Sequence, residues 1–311
     1  DVKRTGDLLG PTYSFGHAAV SGLTRCRTRA LGEGYQDSFL VAEFNTQRVR
    51  RVRLSPSGST YTGVGQDFVR SANRDVHFTD VLEDADGSIL VVDTGGWFRN
   101  GCPESQIAKP DVPGAIYRIR RKDQARVADP RGMKIDWKKS GPQELLRLLD
   151  DERFVVRDRA ADELARRGEA VVPALEKLLE RGASPRARLN AVWALCRMRA
   201  AAARAATRQA LSDKDATVRE AAAHTVFCHR DRGALERLLP LLDDRSPSVR
   251  REAATALGLL GSPRAVPALL RALAADNDRL LEHALVYALI EIGDRGSVLP
   301  GLAQRSPRVR R

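Results

Sequence analysis

Through the second half of the chain, leucines recur in clusters at helical spacing, separated by short polar breaks. The clusters are Leu145, Leu146, Leu148 and Leu149; Leu175, Leu178 and Leu179; Leu238, Leu239, Leu241 and Leu242; and Leu269, Leu270 and Leu273. Residues three and four apart share one side of a helix, so each cluster predicts an amphipathic helix with a single apolar stripe. The first half reads differently. Ser38–Phe44 and Arg48–Leu54 are short runs rich in β-branched and apolar residues, the second alternating with period two as a half-buried strand does. Ser55-Pro-Ser-Gly58 is a turn cluster ahead of Ser59–Thr62, and Asp86-Gly87 supplies a positive-φ turn into Ser88–Val92. An irregular stretch over Thr94–Pro113 precedes a last strand, Gly114–Arg120.

A longer period overlies the helical one. Arg157, Arg188, Arg219 and Arg250 stand 31 residues apart, each followed by small residues. A constant interval of that size predicts a stack of helical hairpins, because one hairpin cannot bury its apolar face alone. The pairs Ala160-Ala161, Ala222-Ala223 and Ala253-Ala254 let second helices pack closely, and Ser184-Pro185, Ser246-Pro247 and Ser306-Pro307 read as an N-cap serine with proline at the first helical position. Five hairpins fit between Pro142 and Gly293, and a sixth starts at Asp294 and is cut at Arg311. The arginine ladder has two readings. It is either an anion-binding edge or a set of ties between hairpins through Asp150, Asp213 or Asp243 in the preceding turns, the polar tie being what a stacked array calls for.

These patterns predict a multidomain chain, β then α. Residues 1–121 are expected to be the last two or three blades of a partial β-propeller, since short strands with regular turns and no intervening helix suit antiparallel blades. Residues 122–141, charged and punctuated by glycine and proline, form the expected linker. Residues 142–311 form the expected α-solenoid, whose repeats resemble short bacterial HEAT-like repeats. Neither end finishes its pattern, so the chain is expected to be an internal piece of a larger protein.

Composition narrows the function. The net charge is +12, but it is spread over both halves, and no basic stripe with interleaved aromatic residues accompanies it, so nucleic acid is not the expected partner. No apolar run approaches a membrane span. Of the cysteines Cys26, Cys102, Cys196 and Cys228, none forms a CxxC pair or a haem-attachment motif. Cys26 and Cys102 can pair only in an oxidising compartment, while Cys196 and Cys228 read as small buried thiols late in successive second helices. Cys228-His229 lacks further ligands nearby, and no metal site is expected.

Asp75–Phe98, then Gly101–Gln106, then Gly114–Arg121, together with His17–Leu23 and Phe39–Asn45, resemble the closing blades of a planctomycete-type family. These are membrane-bound dehydrogenases with a sorbosone/glucose-dehydrogenase-like propeller followed by HEAT repeats. The resemblance implies a periplasmic or secreted protein that oxidises sugar-like alcohols or aldehydes. It also implies a quinone in the full propeller, and electrons passing to a haem c domain outside this chain. A protein partner is expected along the helical array, and a carbohydrate-like small molecule at the propeller. The alternative is a non-catalytic scaffold that binds ligand and protein.

Loops gathered at one mouth are where a propeller binds ligands. Asp93, Trp97 and Arg99 follow the best strand and suit a planar anionic quinone or a sugar, or else Asp93 caps the turn and Trp97 wedges between blades. His77, with Asp80 three residues on, reads as a catalytic base or as a buried ring with a backbone partner. His17 is the second catalytic candidate, carried by the resemblance. Asp84, Asp86 and Gly87 imitate part of a calcium loop, but Leu82 stands where the first carboxylate belongs, and a hairpin turn is the expected reading.

Overall fold

The computed structural model describes residues 9–96, 109, 111–182 and 184–310. Its first part is two antiparallel sheets. One has the order β1 (Val20–Arg25), β2 (Phe39–Glu43), β3 (Arg48–Ser57), β4 (Thr60–Arg70); the other has β5 (Phe78–Glu83), β6 (Ile89–Asp93), β7 (Ala115–Ile119). Alternation sends Leu40, Ala42 and Val49 of the first sheet and Val81, Ile89 and Val91 of the second into one shared core with Cys26 and Phe78. Asp86-Gly87 makes the expected reversal, with Gly87 at φ 79°. The strand pattern of a propeller is present in this local sense only. Among the described residues there is no ring of blades and no closed barrel, so the expected partial propeller is corrected to a small antiparallel sheet region. A ring is closed by contacts between blades distant in the chain, which strand alternation does not encode.

The helical part is a HEAT-type solenoid. Its larger helices pair as α1 (Pro142–Leu148) with α2 (Phe154–Arg167), α3 (Val172–Arg181) with α4 (Pro185–Cys196), and α5 (Ala201–Ala210) with α6 (Ala216–His229). Then α7 (Leu235–Leu238) precedes α8 (Pro247–Leu260), α9 (Val266–Ala274) precedes α10 (Arg279–Ile292), and α11 (Arg295–Val298) precedes α12 (Pro307–Arg310). The leucine stripes, Leu270 apart, and the three alanine pairs share one continuous core, each fully buried leucine contributing about 1.5–3 kcal/mol. Ser184 caps α4 as its sequence suggests, accepting from Ala187 N–H. Ser246 bonds Ser248 instead, although Pro247 still opens α8. Close approach of α8 and α10 requires Gly258, where a Cβ would stand 2.7 Å from Ala288 Cα. Residues 122–141 are irregular but packed, since Trp137 is buried in the helical core under the Arg159 guanidinium.

The ladder arginines tie hairpins forward rather than back. Arg188 grips Asp213 with Nε and Nη2 at 2.7 and 2.9 Å, and Arg219 grips Asp244 at 2.7 and 2.8 Å, each aspartate 25 residues later. Nη1 of each holds the turn before its own helix through a carbonyl, Gly182 O or Asp213 O. The expected partners in the preceding turns are thus corrected. Asp213 serves Arg188, Asp244 takes the role given to Asp243, and Asp150 pairs with Arg186. A guanidinium already donating to its own turn has only its outer edge free, and that edge faces the next hairpin.

Among the described residues, side-chain hydrogen bonds tie the sheets to the array at two separated places. Arg27, after β1, forms a two-pronged pair with Asp158 of α2 at 2.5 and 2.8 Å and lies over the Phe154 ring. At the other end, the tip of the β3–β4 hairpin reaches the start of α10. There Ser59 donates N–H and Oγ–H to Asp278, both at 2.7 Å. Asp278 also caps α10 through Leu280 and Leu281 N–H. Gly58 must be glycine for this contact: its φ is +59° and a Cβ would meet Asp278 Oδ2 at 2.6 Å.

Two outcomes follow from these contacts. Arg188→Met strands the Asp213 carboxylate in a site where the paired side chains are 2% and 6% exposed, and should cost about 3–5 kcal/mol in urea unfolding. Adding Asp213→Leu should recover most of that loss; no recovery would show that the ion pair is not its source. Burial alone would raise the Asp278 carboxyl, but Leu281 N–H, the Ser59 hydroxyl and N–H, and Leu280 N–H together hold it below the usual carboxylate range. Its contribution is therefore complete above the unfolded-state pKa and lost as pH falls through the lowered folded value. The protection factor of the Ser59 amide, its exchange rate taken relative to the intrinsic rate at each pH, should fall on acidification through that range, and in Asp278→Ala already at neutral pH.

Candidate functional site

A cavity of about 890 Å³ opens between the sheets and the first two helical hairpins. The end of β1 and the loop after it form one wall, with Arg25, then Arg27, Thr28 and Arg29. Glu83 of β5 holds that loop in place, accepting from the N–H groups of Arg27 and Thr28 at 2.5 and 3.0 Å and from Thr28 Oγ1 at 2.7 Å. Segment 121–127 closes one side, and the opposite wall carries Arg157, Asp158 and Ala161 of α2 with Arg186, Leu189, Asn190 and Trp193 of α4 and Arg197 just after it. Asn190 is oriented by donating to Leu149 O at 2.8 Å. Trp193 stands edge-on to His224, which stacks on Phe227. The lining contains eight arginines, Arg25, Arg27, Arg29, Arg121, Arg153, Arg157, Arg186 and Arg197, against five carboxylates, so the cavity favours an anion.

Most of these cations are already paired. Arg25 binds Asp37, Arg27 Asp158, Arg29 Glu33, Arg153 Asp151, Arg186 Asp150 and Glu152, and Arg197 Asp162. Among the described residues, Arg121 and Arg157 have no carboxylate at ion-pair distance. Burial lowers the Arg157 pKa, and the nearby charges of Arg186 and Arg27 lower it further. Its Nη1 donates to the carbonyls of Asp151 and Glu152 at 2.7 and 3.1 Å.

The site residues expected from sequence lie elsewhere. Asp93 is buried and staples its strand end, accepting from the N–H groups of His77 and Gly95, both at 2.9 Å. His77 stacks against Phe44, and its Nδ1 is 2.8 Å from Gly95 O and 3.1 Å from Asp75 O. Asp80 accepts from its neighbour Val81 N–H. His17 is exposed, and its carbonyl accepts from the Asn45 amide. Neither histidine nor Asp93 lines the cavity. Trp97, Arg99 and Cys102 lie outside the described residues.

Other clusters are structural in form. Asp84 pairs with Arg118 and Arg131, and Asp86 with Arg120, inside the hairpin turn that imitates a calcium loop. His229 Nε2 contacts Cys196 O at 2.8 Å, whereas Cys228 Sγ is 3.4 Å from His224 Nε2, and His224 Nδ1 is 2.8 Å from Glu252. Among the described residues no group of three or more histidine, cysteine or acidic side chains is arranged to hold a metal ion. Sequence reasoning missed the cavity because its walls come from segments more than a hundred residues apart. One signal was available: Gly182 interrupts the series that puts Asp151, Asp213 and Asp244 at one repeat position.

A family model described as HEAT repeats matches residues 172–226 and 228–290. The bilin biosynthesis protein PecE of Nostoc sp. (strain PCC 7120) is 42% identical over 98 residues, 29% of this chain and 39% of that protein. PecE of Mastigocladus laminosus is 42% identical over 98 residues, 29% of this chain and 36% of its own length. The chain therefore spans less than two fifths of the curated relatives it matches. A solved structure of the CpcE–CpcF complex of phycocyanin lyase from Nostoc sp. PCC7120 is 23% identical with a TM-score of 0.41, over 55% of this chain and 74% of that one.

These findings overturn the expected kinship with membrane-bound dehydrogenases. The sequence-level likeness is to bilin biosynthesis proteins, and the family model matched is that of HEAT repeats, so the oxidoreductase activity and the periplasmic or secreted location drawn from that kinship are withdrawn. The quinone and the haem lose their basis with it. Strand and turn motifs of the sheet region carried that resemblance, and β-branched alternation with Asp-Gly turns is common to unrelated sheets. Among the described residues no helix is long and apolar enough to cross a membrane.

The environment of the thiols makes one prediction. Burial, with the Glu83 charge adding to it, pushes the Cys26 thiol up to about 12, and the residue is 2% exposed. Iodoacetamide acts on the thiolate, so in the folded protein it should label exposed Cys228 well before Cys26, as read by peptide mass spectrometry. Equal labelling would contradict the sheet packing described above.

Proposed function

We propose that this chain is a non-catalytic binding scaffold, in which a HEAT array docks a protein partner while the junction between sheets and array receives an anionic ligand. The observation that carries the reading is the cavity itself, with an arginine-rich lining and the indole of Trp193 on one wall. Surfaces of stacked helical hairpins serve widely as docking faces, and the net charge of +12 suits an acidic partner. In this reading residues 1–121 and 142–311 act as two units, and the packed segment 122–141 holds them together.

The partial likeness to PecE makes a bilin, or a protein that carries one, the first ligand to test. A linear tetrapyrrole with propionate side chains offers a planar apolar body for Trp193 and carboxylates for the arginines. Biliverdin titrated into the full chain should give a saturable absorbance change and quench tryptophan emission, with the quenching reduced in Trp193→Phe. A wild-type protein whose spectra stay unchanged at saturating biliverdin would rule out the bilin part of this reading.

A further inference from the structure

The arginine ladder has a gap at Arg157, and Arg157 lines the cavity. Arg188 and Arg219 each do two things: Nη1 holds the carbonyl of the turn six residues back, and Nε with Nη2 grips an aspartate 25 residues ahead. Arg157 does the first, through Asp151 O. For the second, the repeat puts Gly182 where Asp213 and Asp244 stand in the next two units. Gly182 has no side chain to offer, and a Cβ there would lie 2.4 Å from Leu178 O, so the backbone leaves no room for one. The guanidinium of Arg157 is half-buried and lines the cavity beside Arg186 and Arg27, whose own charges are matched by Asp150, Glu152 and Asp158. Arg250 meets the same gap opposite Ala275, but it does not line the cavity.

We propose that the cavity is an oxyanion site, in which a carboxylate or phosphate group of a small molecule binds Nε and Nη2 of Arg157 as Asp213 and Asp244 bind Arg188 and Arg219. The planar guanidinium edge matches two oxygens of either group. Every other arginine on the α2 and α4 wall already has a protein carboxylate, so Arg157 is the anchor. Leu189, Ala161 and Trp193 beside it suit an apolar body attached to the anion. This inference rests on the anionic-ligand part of the scaffold reading and names its anchor, but it does not depend on a bilin. A protein that ignores biliverdin but binds a smaller anion at Arg157 would keep the one and lose the other.

The test uses the full chain at constant ionic strength, with inorganic phosphate and benzoate as separate probes measured by calorimetry against chloride. At least one probe should bind. Arg157→Gln should weaken it tenfold or more, Arg157→Lys should restore part of the loss, and Arg250→Gln, the same rung away from the cavity, should leave it unchanged. Benzoate favoured over phosphate would identify a carboxylate ligand, and the reverse a phosphate ester. Should Arg157→Gln fail to fold, phenylglyoxal modification of the wild-type protein gives a second readout: the bound anion should protect Arg157 more than Arg121 or Arg250. Binding of neither probe, equal affinity in a folded Arg157→Gln, or absence of protection overturns the proposal.

Discussion

Register in the helical array depends on a buried ion pair repeated at a constant interval. Arg188–Asp213 and Arg219–Asp244 sit with side chains at most 8% exposed, where an unmatched charge is costly. Apolar stacking of leucine and alanine is tolerant of small slips, because one aliphatic contact substitutes for another. A two-pronged guanidinium–carboxylate pair is not tolerant: sliding one hairpin against the next strands both charges. Each aspartate also accepts an N–H from its own turn, Asp215 for Asp213 and Ser246 for Asp244, at 2.8 Å. One side chain therefore fixes the turn geometry of its own hairpin and the position of the hairpin before it.

That rigid register gives the sheet region something to lean on. Its two anchor points, Arg27 on Asp158 and Ser59 on Asp278, lie in the first and the last of the larger hairpins. The separation between them is set by the number of stacked units, and the long β3–β4 hairpin has the reach to meet it. The cavity is a consequence of this arrangement. Held at the Arg27 end by a loop that Glu83 orders, the sheets stand off from α2 and α4 and enclose a space whose cations come from both parts.

Departures from the repeat are the informative positions. A solenoid built from equivalent units has equivalent rungs, so a rung without its aspartate marks a place where the array meets something outside its own pattern. Gly182 is such a place, and Arg157, the arginine it leaves without an aspartate, lines the cavity. The likeness to bilin biosynthesis proteins extends over 29% of the chain.

Much of the helical half was legible in the residues. The 31-residue interval, the leucine stripes and the alanine pairs encode local helices and nearest-neighbour packing, both of which follow from short-range spacing. Strand runs around Phe39–Glu43 and Arg48–Leu54 and the Asp86-Gly87 turn were equally plain, because alternation and positive φ are local demands. Residue order alone could not say which aspartate each ladder arginine meets, since that depends on the direction a guanidinium faces once its own turn has taken Nη1. Nor could it say that the described strands form two small sheets and no closed ring, or that Arg27 and Arg157 line one cavity. Those relations join segments far apart in the chain, and only the tertiary structure brings their charges within reach of one another.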